Sequence, residues 1–149
     1  MASWTEDTRR FLEAGRVGHL ATAGADGAPH VIPVCYALDD DALYFVADAK
    51  PKRRPARLLE RLRNLRENPR AALVVDLYDD DWTRLRWVLV RGPVTIVDDP
   101  ARHARALALL RARYPQYRAM ALDDPAAHPV VRIAAERVTS WTAAAPAGI

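Results

Sequence analysis

Residues 16–38, RVGHLATAGADGAPHVIPVCYAL, decide the fold class. Val17 to Thr22 is apolar enough for a strand, and His30 to Leu38 is a second apolar run. Between them stands Gly24-Ala25-Asp26-Gly27, whose Asp-Gly pair is a hairpin signal, because glycine accepts the positive φ that tight turns demand. Strands closed by so short a connection pair antiparallel. Pro33 has no N–H to give to a ladder, so the return strand belongs at an edge or carries a bulge.

The same reading extends outward. Upstream, Thr5 to Ala14 reads as a short helix capped by Thr5 or Asp7, with Phe11 and Leu12 turned inward. Downstream, Asp39-Asp40-Asp41 makes a turn and Ala42 to Ala47 a third strand. Beyond a basic helix that Asn68-Pro69 ends, Ala71 to Tyr78 is almost wholly apolar, as a strand buried on both faces would be. A long strand follows from Arg84 to Val97, with a bulge expected at Gly92-Pro93. Pro100 to Tyr114 places Leu107, Leu110 and Tyr114 on one helical face. Val130 to Thr142 alternates as a final strand, and the residues after it read as a flexible tail. The expectation is one domain over residues 1–149, mainly β in an α+β arrangement. Six antiparallel strands would form a barrel with flanking helices. A sandwich is the alternative.

Bulk properties exclude several classes. The 149 residues hold no apolar run of the length a membrane helix needs, about 18 residues. The polar, acidic start Ser3-Trp4-Thr5-Glu6-Asp7 is unlike a secretion signal. One cysteine, Cys35, rules out an internal disulfide framework and fits a reducing cytoplasm. Four scattered histidines offer no metal-ligand spacing. There is no nucleophile elbow, phosphate-binding P-loop or Gly-rich dinucleotide fingerprint. Any redox chemistry would rest on a cofactor held in another manner.

The charge is focused. Lys50 to Arg66 carries eight Lys/Arg and one acid in a chain whose net charge is +3, so the rest is net acidic. Leu58, Leu62 and Leu65 recur at helical spacing, and Pro51 and Pro55 place the helix start near residue 55. Lys50, Lys52, Arg53 and Arg54 then crowd the positive end of the helix dipole, a conflict that a bound anion would resolve. A charge run is most often a solvated helix face. The sharper reading is a clamp for phosphate or polycarboxylate. Nucleic-acid binding is disfavoured, because no aromatic residue is interleaved with these cations. Trp87, on a strand with Arg84, Arg86 and Arg91, suggests one face on the core and one on a subunit interface. Cys35 reads as a small buried hydrophobe, His19 and His30 as structural, and Tyr36 as an ordinary barrel position.

Several segments together resemble a known family. They are Gly18-His19-Leu20-Ala21-Thr22 with Gly27 to Val34, Asp48-Ala49-Lys50-Pro51-Lys52, Leu62 to Leu73, Asp76 to Trp82, and Arg86-Trp87-Val88 with Gly92. The chain resembles the pyridoxamine 5′-phosphate oxidase-like, flavin-binding split β-barrels over roughly residues 5 to 142. Within these it is most similar to the actinobacterial branch of coenzyme F-420-dependent proteins. The resemblance implies a cytoplasmic homodimer with the cofactor at the subunit interface, and neither nucleic acid nor membrane as partner. It implies a ring lying along Pro33, Val34, Cys35 and Tyr36, and near Phe45 to Asp48. It also implies an anionic tail held by Lys50, Pro51, Lys52, Arg57 and Arg61, with Trp87 reaching the ring from the partner chain. Arg61 stands where lysine is usual. The resemblance implies hydride transfer from reduced F-420, a deazaflavin, to an unsaturated small-molecule substrate. The alternatives are an FMN-binding oxidase or reductase, and a non-enzymatic cofactor or haem binder. No catalytic acid is named, and no metal is expected.

Overall fold

The computed structural model describes residues 4–47 and 59–143. In chain order the elements are α1 (Glu6–Ala14), β1 (Gly18–Ala23), β2 (Pro29–Val34), β3 (Ala37–Leu38), β4 (Ala42–Val46), α2 (Glu60–Glu67), β5 (Arg70–Leu77), β6 (Arg86–Val97), α3 (Pro100–Arg113), β7 (Val130–Ala134) and β8 (Arg137–Thr142). Every strand pairing is antiparallel. The strands follow the order β2-β1-β5-β6-β7-β4-β3, with β8 also paired to β6. The sheet curls into a split barrel flanked by three helices, as expected.

The hairpin of residues 16–38 forms where the sequence places it. Gly18↔Val34 through Ala23↔Pro29 are in register. Gly27 adopts φ +76°, which glycine takes without a Cβ penalty. The Asp26 carboxylate accepts the Ala28 N–H. β2 is an edge strand, so Pro33 withholds no ladder bond from a second neighbour.

The strand count is eight rather than six, for two reasons. The return strand breaks at Cys35–Tyr36, where the chain leaves the β1 side for the β4 side. A buried polar group supports the break: the Tyr114 hydroxyl accepts the Tyr36 N–H at 3.0 Å and donates to the Arg16 carbonyl at 2.8 Å. The final strand breaks because it carries the bulge. Between Arg91↔Arg137 and Val94↔Ile133, β6 has Gly92 and Pro93, while its neighbour has Ala134, Ala135 and Glu136. The extra residue therefore lies opposite Gly92-Pro93 rather than in it. Gly92 is required there because a Cβ would sit 1.8 Å from the Ala134 carbonyl oxygen.

Two further expectations need correction. β5 is not buried on both faces. Ala71, Leu73 and Val75 are buried, whereas Ala72 and Val74 are only half-buried, because no other described element of this chain covers their face. The basic helix starts at Glu60 rather than near residue 55, since Leu59 is extended at φ −67°, ψ 134°. Lys50, Lys52, Arg53 and Arg54, on which the expectation of an anion at the helix start rests, lie outside the described residues.

Two apolar clusters hold the fold. The larger fills the barrel and includes Leu12, Leu20, Tyr36, Phe45, Leu62, Leu65 and Leu73. The smaller lies between α3 and the outside of β4 and β7, with Leu107, Leu110 and Tyr114 from the helix face. Each fully buried leucine contributes about 2 kcal/mol. Capping sets the helix starts: Thr5 accepts the Thr8 N–H, and Asp99, followed by Pro100, accepts the Arg102 N–H.

Candidate functional site

Strand alternation sorts the sheet into an inner and an outer face. Register places Val34, Leu20, Leu73, Val90 and Val138 on the inner face, and Pro33, His19, Val74, Leu89 and Thr139 on the outer. α2 belongs to the inner side, since Leu62 and Leu65 enter the barrel core. Two bonds fasten it to the first hairpin. Asn64 Nδ2 donates to Thr22 Oγ1, and the Glu67 carboxylate accepts the Ala25 N–H.

At the start of α2, Arg61 is half-buried and its Nε is inaccessible to solvent. His30, read from the sequence as structural, also faces this side. Its Nδ1 is buried with no hydrogen-bond partner among the described residues, and its Nε2 stands 4.0 Å from the Glu60 carboxylate. An orphaned ring nitrogen is costly unless something absent from the protein completes it. The signal was available in the phase of β2, where even-numbered residues point inward. Lys50, Pro51, Lys52 and Arg57 lie outside the described residues. The neighbouring cleft between the first turn and α2 carries Asp26, Glu60 and Glu67 against Arg63, so its sign is wrong for a phosphate.

The four residues of the β2 run do not share one surface. Pro33 is exposed on the outer face and Val34 is buried in the core. Cys35 packs against the α3 cluster. Tyr36 is fully buried, and its hydroxyl donates to the Leu12 carbonyl. Burial pushes the pKa of that hydroxyl well above the ordinary tyrosine value, although Arg113 opposes the shift. Tyr36 thus holds α1 to the barrel and offers no proton near neutral pH.

Trp87 lies on the outer face, half-buried, directly across the ladder from Trp141. The rings stack with centroids 6.4 Å apart and planes 18° from parallel. Trp141 had no role in the sequence reading, because the bulge breaks the alternation that would have assigned its face. Trp87 and Arg61 lie on opposite sides of the sheet, so one chain does not bring them onto one ligand. No group of three or more His, Cys, Asp or Glu among the described residues could hold a metal. No helix among them is long and apolar enough to cross a membrane.

Known proteins are similar to this chain in sequence or in fold. A reductase of 5a,11a-dehydrotetracycline and 5a,11a-dehydrooxytetracycline from Streptomyces rimosus is 33% identical over 73 residues, 49% of each chain. The chain thus matches about half the length of that curated relative. A conserved hypothetical protein of Mycobacterium tuberculosis superposes with a TM-score of 0.74 at 26% identity, over 94% of this chain and 86% of its own. A protein described as an F420 reductase superposes at 0.65 with 28% identity, over 91% of this chain and 98% of its own. Residues 4–142 match the pyridoxamine 5′-phosphate oxidase family, and the chain belongs to that family.

Proposed function

We propose that this protein is a homodimeric oxidoreductase that binds coenzyme F-420 between subunits and reduces an unsaturated organic substrate. The observation that carries the reading is the orphaned Nδ1 of His30, on the inner face beside the start of α2, where half-buried Arg61 also stands. Together with the basic run at Lys50 to Arg57, these groups fit a phosphate and its anionic tail, because guanidinium forks hold such groups bidentately. The similarity to a protein described as an F420 reductase and to a dehydrotetracycline reductase supports the same reading.

When bound, the deazaflavin supplies a two-electron hydride. The protein's own task is binding, orientation and exclusion of water. Arg61, Lys50, Lys52 and Arg57 would hold the tail, and exposed Pro33 would border the ring. Trp87 and Trp141 of a second copy would close the other side, which accounts for their place on the outer face. Tyr36 is too deeply buried to reach a substrate, so the substrate proton comes from elsewhere.

Parallel fluorescence titrations with F-420 and FMN test the proposal. The expected result is tighter binding of F-420, weakened about tenfold or more by Arg61→Ala or Lys52→Ala. Equal affinity for both cofactors, or unchanged affinity in both variants, would sink the clamp. Retention of FMN on purification would favour a flavin enzyme of the same fold. Tight haem binding without reductase turnover would favour a carrier.

A further inference from the structure

The outer rim of β6 holds a second cationic site, separate from the start of α2. Arg91 stands directly across the β6–β8 ladder from Arg137. Opposed side chains in an antiparallel pair have Cβ atoms about 5 Å apart, and like charges placed there repel. A third arginine, Arg70, lines the same cleft, and the acid beside it, Glu136, is already paired with Arg70. Among the described residues no hydrogen bond or ion pair engages the side chain of Arg91 or of Arg137, and the Nε of Arg91 is buried with no acceptor.

The cleft has a structural origin. β1 and β5 pair only at His19–Ala21 with Ala72–Val74. Beyond that point the strands part, and an opening of about 480 Å³ remains, walled by Ala21, Ala23, Pro29 and Ala72. That volume falls in the range of small-molecule sites. Asn68, which closes α2, borders this cleft, whereas Arg61 sits at the helix's other end.

We propose that this cleft is an anion site, in which one carboxylate or phosphate group bridges Arg91 and Arg137. The small apolar wall then receives the compact organic body that carries the anion. The bridging oxygens accept from both guanidinium groups, including the Arg91 Nε that nothing among the described residues satisfies. Repulsion between the paired arginines becomes shared attraction for the ligand. The inference does not depend on which cofactor binds at α2.

The test is calorimetric titration of the intact protein with inorganic phosphate and with succinate at constant ionic strength, alongside thermal melts in chloride. Saturable binding of at least one probe is expected, weakened about tenfold or more in Arg91→Gln and in Arg137→Gln. Arg91→Lys should retain part of the affinity, because it keeps the charge and loses the fork. In chloride alone Arg137→Gln should melt above the parent, since the opposed charges are gone. The tighter of the two probes tells phosphate from carboxylate. Absence of saturable binding, or affinity unchanged in both glutamine variants, would overturn the proposal. So would dissociation of a dimer by Arg91→Gln in sedimentation without loss of anion binding, since the arginine would then be serving an acid of the second copy.

Discussion

At the α3 end of the molecule, the Arg113 guanidinium donates to the carbonyls of Tyr36, Glu13 and Gly15 and lies over the rings of Tyr36 and Tyr114. At the β6–β8 rim, Arg91 and Arg137 face each other with no acceptor from the described residues. The residue type is the same and the circumstances are opposite. Arg113 ties the end of α1 and Gly15 to the Tyr36 carbonyl, so it belongs to the folding of the chain. The rim pair carries unmet hydrogen-bonding capacity, so it belongs to whatever the chain binds. A cation's role is therefore read from where its donors end, rather than from how many cations surround it. The basic run at Lys50 to Arg66 shows why this matters, since only its part from Leu59 onward is among the described residues.

Gly92→Ala would break the comparison most severely. Its Cβ would collide with the Ala134 backbone, which cannot move without losing the bulge and the Arg91–Arg137 register. A loss of more than about 4 kcal/mol is expected by chemical denaturation. Arg113→Ala comes next. It strips charged donors from three main-chain carbonyls and should cost about 3 kcal/mol. Anion binding at the rim should survive wherever that variant is folded, which separates the two kinds of arginine.

The smallest effect is expected at Asp39. Its carboxylate accepts the N–H groups of Asp41 and Ala42 and the Tyr44 hydroxyl. Partial burial opposes ionisation, but these bonds prevail and hold Asp39 below its ordinary pKa. A depressed folded-state pKa stabilises the fold above the unfolded value, and that contribution disappears as pH falls through the folded value. Asp39→Ala should therefore cost about 1 kcal/mol near neutrality. The gap from the parent should shrink below about pH 4, as melts across an acid series would record.

Much of the fold was legible because local signals agreed with it. Asp26-Gly27 set the hairpin, Asn68-Pro69 ended α2, and Asp99-Pro100 opened α3. The leucine spacing of α2 and α3 correctly named the buried faces. The misses share a cause. The break at Cys35–Tyr36 depends on a hydroxyl from Tyr114, far along the chain. The bulge was assigned to Gly92-Pro93 because glycine and proline mark irregularity, but the extra residue lies on the neighbouring strand, in an ordinary-looking Ala-Ala-Glu. Of the candidate site, Arg61 was named through resemblance, His30 was read as structural, and Trp141 was given no role.

The sequence by itself determined the antiparallel β class, the helix faces, the hairpin and the concentration of positive charge. Each of these follows from residues close together in the chain, where turn chemistry and side-chain period act directly. Only the tertiary structure decided that Tyr36 is a buried strut, that Trp87 stacks on Trp141, and that Arg91 opposes Arg137. The Tyr36 strut depends on a helix carbonyl elsewhere in the chain, and the two pairs depend on register between β6 and β8, where a single inserted residue resets which side chains meet.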